Sequence, residues 1–182
     1  LYWYLPVPIV NKNNEVLRWE YPVKVNRYRL AQKVSKQGEP EKYDEATTKF
    51  LAEFGGKFTP FNNNPKDDAT EEIKVYVKKA DDSIETKTYK PAEWKKLYWI
   101  ATQAIWGKGS PEDVQITLQL AVRFGLIKED GIQAYCDGGN VGLDCNGFVG
   151  RYMQTVLGKK TTANSPIDHI LQQGRPITKF EE

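Results

Sequence analysis

The pattern of apolar and polar residues predicts strands in the first part of the chain. Leu1 to Val10 is apolar and aromatic, and prolines at positions 6 and 8 favour an edge strand or a packed extended arm. Residues 11–14 are asparagine-rich and predict a turn. β-Branched and aromatic residues from Val16 to Tyr28 then predict a second strand.

One helix and a second pair of strands are predicted next. Apolar residues recur at intervals of three and four over 43–54, which predicts a helix that ends at Gly55 and Gly56. Residues 73–77 alternate between apolar and polar and predict a strand. A turn is predicted at 81–83, followed by a short strand that ends near Tyr89.

Helical spacing dominates after residue 90. Pro91 suits a first helical position, and the apolar stripe after it ends before Gly107. Its members are Trp94, Leu97, Tyr98, Ala101 and Ile105. Ser110 and Pro111 predict the start of a second helix, because a hydroxyl cap and a proline precede two acids. Gly125 predicts the end of that helix.

These elements predict an α+β protein. The change in periodicity places a boundary near residue 90, between a strand-rich N-terminal region of unknown role (1–90) and a second domain (91–182). The 26 basic and 24 acidic residues are too balanced to indicate nucleic-acid binding by bulk charge. No apolar run approaches the roughly 18–20 residues of a membrane-spanning helix, so we expect no transmembrane segment.

The candidate chemistry lies in residues 130–158. Apolar residues from Phe148 to Leu157 fall on one face of a predicted, largely buried helix, and Asp144 is its natural N-cap. Cys145 would then lie in the first turn, where backbone N–H groups and the helix dipole favour a thiolate and stabilise an oxyanion. The alternative is a small structural cysteine after glycines that only turn the chain.

Tyr135, the pair Gly138–Gly139 and the segment Leu-Asp-Cys-Asn-Gly-Phe-Val over 143–149 stand in a recognisable order. They resemble the motif of the NlpC/P60 cysteine peptidases: a tyrosine, a Gly-Gly turn and Asp-Cys-Ser-Gly on a helix. Asn146 stands where that family usually has serine. These papain-like hydrolases cleave peptide bonds in bacterial cell-wall peptidoglycan.

The resemblance implies specific roles. Cys145 would be the nucleophile, and Tyr135 would lie near it and assist the oxyanion or the substrate. Residues 91–182 would form the N-terminal part of a papain-like domain, with Cys145 opening its central helix. The implied substrate is a peptidoglycan stem peptide or another peptide, no metal or organic cofactor is expected, and the location would be secreted or in the bacterial cell envelope.

A cysteine nucleophile needs a base, and His169 is the one histidine in the chain. In the family the catalytic histidine lies further along the chain, after a turn. The segment from Ile177 to Glu182 resembles the residues that lead into that turn. We therefore expect that the chain is a piece of a longer protein, cut before Leu1 and after Glu182, and that the base and its partner follow. The alternative is that His169 itself serves as the base.

Two further features leave alternatives open. Cys136 is either a resolving thiol beside Cys145 or a loop residue without a role. Trp94, Trp99 and Trp106 are either helix-packing residues, which we favour, or a carbohydrate platform. The same scaffold also suits an amidase or acyltransferase, or a non-catalytic cell-wall-binding module.

Overall fold

The computed structural model describes residues 4–25, 48–49, 52–53, 55, 72–143, 147–149 and 158. The elements whose bounds lie in this part of the chain are two antiparallel hairpins, a 3-10 turn and three α-helices. The described residues within 48–55 and 147–149 are helical as well. The predicted α+β class is therefore confirmed.

The first hairpin joins β1 (Tyr4–Val10) to β2 (Val16–Lys24) through the predicted asparagine-rich turn. Asn14 closes that turn with a φ of 65°, a left-handed conformation that asparagine tolerates better than most residues. The pairing register shifts near each end of β1. The predicted extensions of these strands to Leu1 and Tyr28 lie outside the described residues.

The second hairpin joins β3 (Ile73–Lys78) to β4 (Ile84–Tyr89), and both strands agree with the prediction. The backbone N–H of Ser83 donates to the Asp81 carboxylate at 3.0 Å, which closes the predicted turn.

Pro91–Glu93 forms the 3-10 turn that leads into α1 (Trp94–Ile105), and α2 spans Pro111–Arg123. The predicted start of α2 is confirmed by a capping box: Asp113 N donates to Ser110 Oγ at 3.1 Å, and Ser110 N donates to Asp113 Oδ2 at 2.7 Å. Gly125 follows the helix with a φ of 72°, as predicted for a C-terminal stop.

The helix predicted over 43–54 is described only at positions 48, 49, 52 and 53, and all four are helical. Gly55, predicted as its stop, is helical as well. A Cβ at this position would lie 3.3 Å from Cε2 of Tyr98 in α1. The glycine thus permits a close approach to α1, and it does not end the helix at this residue.

One hydrophobic core joins the strands and helices. Buried residues of β1 and β3, such as Val7 and Val75, belong to the same cluster as Leu97 of α1 and Leu118 of α2. The core therefore draws on residues before and after position 90, where the boundary between two domains is predicted.

Helix α2 lies at the centre of this core. Its residues 114–122 are all buried, and it packs on α1, β1 and β3. A helix that is buried on every side is typical of the middle of a domain.

Two glutamines of α2 hydrogen-bond the free edge of β3. Gln119 accepts from Tyr76 N and donates to Tyr76 O, each at 3.1 Å. Gln115 forms the same pair with Lys78, at 3.0 and 3.1 Å. The side-chain amides thus occupy the place of a neighbouring strand and protect an edge that would otherwise be open.

Charged side chains connect the second hairpin to the start of α2. Lys79 binds Glu112 and lies 2.7 Å from Glu85, and Lys87 lies 3.1 Å from Glu112. Partial burial favours the neutral form of Glu112, but hydrogen bonds from the two lysines outweigh it and lower the pKa of the carboxyl.

Of the three tryptophans considered together, Trp94 lies in the core, Trp99 lies at the surface and Trp106 is half-buried. Trp94 is 7% exposed and belongs to the core, as predicted. Trp99 is 50% exposed, so packing does not explain it. Its ring instead meets Tyr98 edge-on, with centroids 6.1 Å apart. Among the helices that the structure describes, none combines the length and apolar character needed to cross a bilayer.

Candidate active site

Tyr135 lies on a short helix, α3 (Ile132–Asp137), which the sequence pattern did not predict. Ile132 and Cys136, four positions apart, are buried on one face of α3. Tyr135 is half-buried and packs against the hydrophobic core. The position of Tyr135 is therefore set by a helix that packs against the core. A glycine-rich loop alone would not fix it.

Cys136 occupies the inner face of α3, so the prediction of a loop residue is wrong. Burial, with a smaller contribution from the Asp137 carboxylate, raises the pKa of the Cys136 thiol to about 12. At neutral pH this thiol is protonated. A buried, protonated thiol is a poor nucleophile, which argues against the resolving-thiol alternative.

Helix α3 ends in the predicted Gly-Gly turn. Gly138 N donates to Ala134 O, and Gly139 N donates to Cys136 O, both at 3.0 Å. Gly139 has a φ of 72°, a conformation that glycine adopts without strain.

Asn140 closes the turn over the end of the helix. Its side-chain N–H donates to Tyr135 O at 3.0 Å. A Cβ at position 138 would lie 2.9 Å from Asn140 Nδ2. Glycine at 138 therefore leaves room for the asparagine, and the asparagine holds the backbone of Tyr135.

The other end of α3 is tied to the first hairpin by Gln133, a residue that the sequence did not single out. Gln133 Oε1 accepts from Lys24 N at 2.9 Å, and its Nε2 donates to Lys24 O at 3.0 Å. The same Nε2 donates to the Asp137 carboxylate at 2.8 Å. One side chain thus joins the last residue of β2 to both ends of the helix that carries Tyr135.

The glutamines of α2 had a signal in the sequence. Gln115 and Gln119 are amide residues four apart in the run 114–122, in which Thr117 is the one other polar residue, and buried amides need partners. Gln133 has no comparable signal, because its partner is 109 positions away.

The chain passes from the glycine turn into buried and then helical backbone. Residues 141–143 are buried, and residues 147–149 are helical. Gly147 is buried, whereas Phe148 is 53% exposed, so the expectation that Phe148 lies on the buried face is wrong. Neighbouring helical residues point about 100° apart, so Gly147 and Phe148 face different directions.

The predicted nucleophile Cys145, its predicted cap Asp144 and the alternative base His169 lie outside the described residues. Of the predicted catalytic pair, the structure describes Tyr135 alone. Within the described ranges, no three side chains of His, Cys, Asp or Glu are grouped in a way that suits a metal ion.

Comparison of the chain with protein-family models, curated proteins and solved structures yields no match. The basis for a functional assignment is therefore the motif over 135–149 and the local geometry of its described residues.

Proposed function

We propose that the protein is a cysteine peptidase that hydrolyses peptide bonds in peptidoglycan stem peptides, with Cys145 as its nucleophile. The observation that carries the proposal is the geometry around Tyr135. Helix α3 holds this tyrosine one turn before a left-handed glycine, and helical backbone is present at 147–149, two positions after Cys145. A capped tyrosine helix, a Gly-Gly turn and a following helix match the order of the NlpC/P60 motif.

The state of the other cysteine supports Cys145 as the nucleophile. The chain has two cysteines, and burial raises the pKa of Cys136 to about 12. A thiol with this pKa is almost wholly protonated at neutral pH. Cys145 is then the remaining thiol for nucleophilic chemistry.

In the proposed reaction the Cys145 thiolate attacks the carbonyl carbon of the scissile amide. The C–N bond breaks, the amine leaves with a proton from the catalytic base, and a thioester remains. Water then attacks the thioester, which releases the carboxylic acid and restores the thiol. Tyr135 assists by stabilising the oxyanion or orienting the substrate.

This proposal includes a papain-like arrangement for residues 91–182, a cell-envelope or secreted location, and catalysis without a metal or organic cofactor. A thiolate supplies the nucleophile directly, so the chemistry does not need a metal-bound water.

The test is the Cys145→Ala substitution in the full-length protein. We expect hydrolysis of purified peptidoglycan to fall at least about 10³-fold, since loss of a nucleophile removes the covalent route. Mass spectrometry of the released fragments identifies the bond that is cleaved, and circular dichroism checks the fold.

Cys136→Ala is the matched control, because it removes the other thiol of the chain. Activity should persist in this variant wherever it remains folded. Hydrolysis that survives in Cys145→Ala would rule out the nucleophile assignment. Release of a transfer product in place of a free acid would indicate an acyltransferase.

A further inference from the structure

Gln133 connects the strand-rich N-terminal region to the helix that carries Tyr135. We infer that Gln133 is a positioning residue for the site, and that one role of residues 1–90 is to fix where α3 lies. The inference rests on the function proposed above.

The attachment point on the strand lies between two core residues. Lys24 lies between Val23 and Val25, which are 0% and 1% exposed and belong to the core. Both backbone polar atoms of Lys24 are bonded to the Gln133 amide, at 2.9 and 3.0 Å. Two antiparallel hydrogen bonds to one amide plane fix direction as well as distance.

Helix α3 depends on such attachments. It has six residues, fewer than two full turns, and helices of this length are not stable in water by themselves. Burial of Ile132 and Cys136 holds α3 against the core, but apolar contact is non-directional. The Gln133 amide supplies a directional contact to β2, while Asn140 caps the opposite end.

A shift at Gln133 reaches Tyr135 through the helix backbone. The two residues are two positions apart, about 3 Å along the axis. Displacement of a group at a reacting centre by about 1 Å costs up to roughly 10²-fold in rate. Gln133 touches neither substrate nor reacting atoms in this scheme and acts through Tyr135.

The test compares Gln133→Met with Asn11→Ala in the full-length protein. Methionine keeps the length and the helical preference of glutamine but removes both bonds to Lys24 and the bond to Asp137 within α3. Asn11 is a matched control, since its side chain makes three hydrogen bonds, of 2.7–3.0 Å, in the turn at the other end of the same hairpin. We expect kcat to fall about tenfold in Gln133→Met with KM within about twofold, and to stay unchanged in Asn11→Ala.

A double-variant cycle separates positioning from general damage. If Gln133 acts through Tyr135, adding Gln133→Met to Tyr135→Phe should lower kcat by less than about twofold more. Losses that simply multiply, or an unchanged kcat in Gln133→Met, would overturn the inference.

Hydrogen exchange provides a readout that does not depend on catalysis. Amides of residues 131–139 should exchange roughly fivefold faster in Gln133→Met and at the wild-type rate in Asn11→Ala. Unchanged exchange in Gln133→Met would show that Gln133 does not hold α3 against β2. Hydrolysis that survives in Cys145→Ala would instead contradict the proposed function, and hydrogen exchange would then remain as the test of the contact between Gln133 and Lys24.

Discussion

Helices α2 and α3 both bind a strand through glutamine side chains, but the two helices differ in length and burial. Each holds the backbone of a strand with glutamine amides: α2 holds β3 through Gln115 and Gln119, and α3 holds β2 through Gln133. Helix α2 has 13 residues and is buried around most of its length, whereas α3 has six and is buried on one face. In α2 the amides accompany extensive apolar packing, whereas in α3 the amide accompanies a smaller apolar face formed by Ile132 and Cys136.

Because of this difference, we expect loss of an amide in α2 to affect folding stability and loss of the amide in α3 to affect function. Loss of an amide in α2 leaves partly buried strand groups without their partners, so the cost falls on the fold. The hydrogen bonds of the amide in α3 are exposed, and water can replace them when the amide is lost. The fold is therefore less affected and the placement of Tyr135 is more affected. Among the described residues, the amide contacts of the scaffold are thus more buried than the amide contact that holds the helix of Tyr135.

The largest effect is expected from Gln119→Met. Gln119 is 1% exposed, and its loss leaves N–H and C=O of Tyr76 without their partners. We expect the free energy of unfolding to fall by about 3 kcal/mol, against about 1 kcal/mol for Gln133→Met. Urea denaturation of both variants measures the two losses of unfolding free energy. Equal losses would show that burial does not determine how much each glutamine amide contributes to stability.

The second-largest effect tests whether water is excluded from the buried face of α3, where Cys136 lies. The pKa of Cys136 is raised by burial from 9.0 to about 12, so above pH 9 the unfolded chain releases this proton and the folded chain does not. Stability from this group is complete below pH 9 and is lost as pH rises towards 12. The loss should reach about 2 kcal/mol at pH 10.5, since one pKa unit corresponds to about 1.4 kcal/mol.

Comparison with Cys136→Ala isolates this titration, because the lysines and tyrosines titrate in both proteins. The stability of wild type relative to the variant should shrink by about 2 kcal/mol between pH 7 and pH 10.5, in urea denaturation with a reductant present. A constant difference would mean that water reaches this face of α3.

The sequence predicted the elements whose signals are local. The alternation of β3, the capping box at Ser110 and the stop at Gly125 each lie within a few residues, and the structure has all three. Helix α3 was missed because six residues are too few to show a helical period.

The candidate site was predicted in part for the same reason. The order of Tyr135, the Gly-Gly turn and Cys145 is local and visible in the sequence. The burial of Cys136 and the bond from Gln133 to Lys24 depend on how distant segments meet. Such contacts leave no hydrophobic periodicity and no turn or capping residue in a single sequence, so only the fold shows them.

The smallest effect concerns a second link between β2 and the α3 region, the ion pair of Arg18 and Glu129. These groups lie 3.3 Å apart, with side chains 48% and 52% exposed. Because exposed ion pairs contribute little, Glu129→Gln should change the free energy of unfolding by less than about 0.5 kcal/mol. Exchange of residues 131–139 should match wild type, in contrast to Gln133→Met. If Glu129→Gln instead accelerates that exchange as much as Gln133→Met does, charge and not the amide fixes α3, and added salt should then reproduce the effect in the wild-type protein.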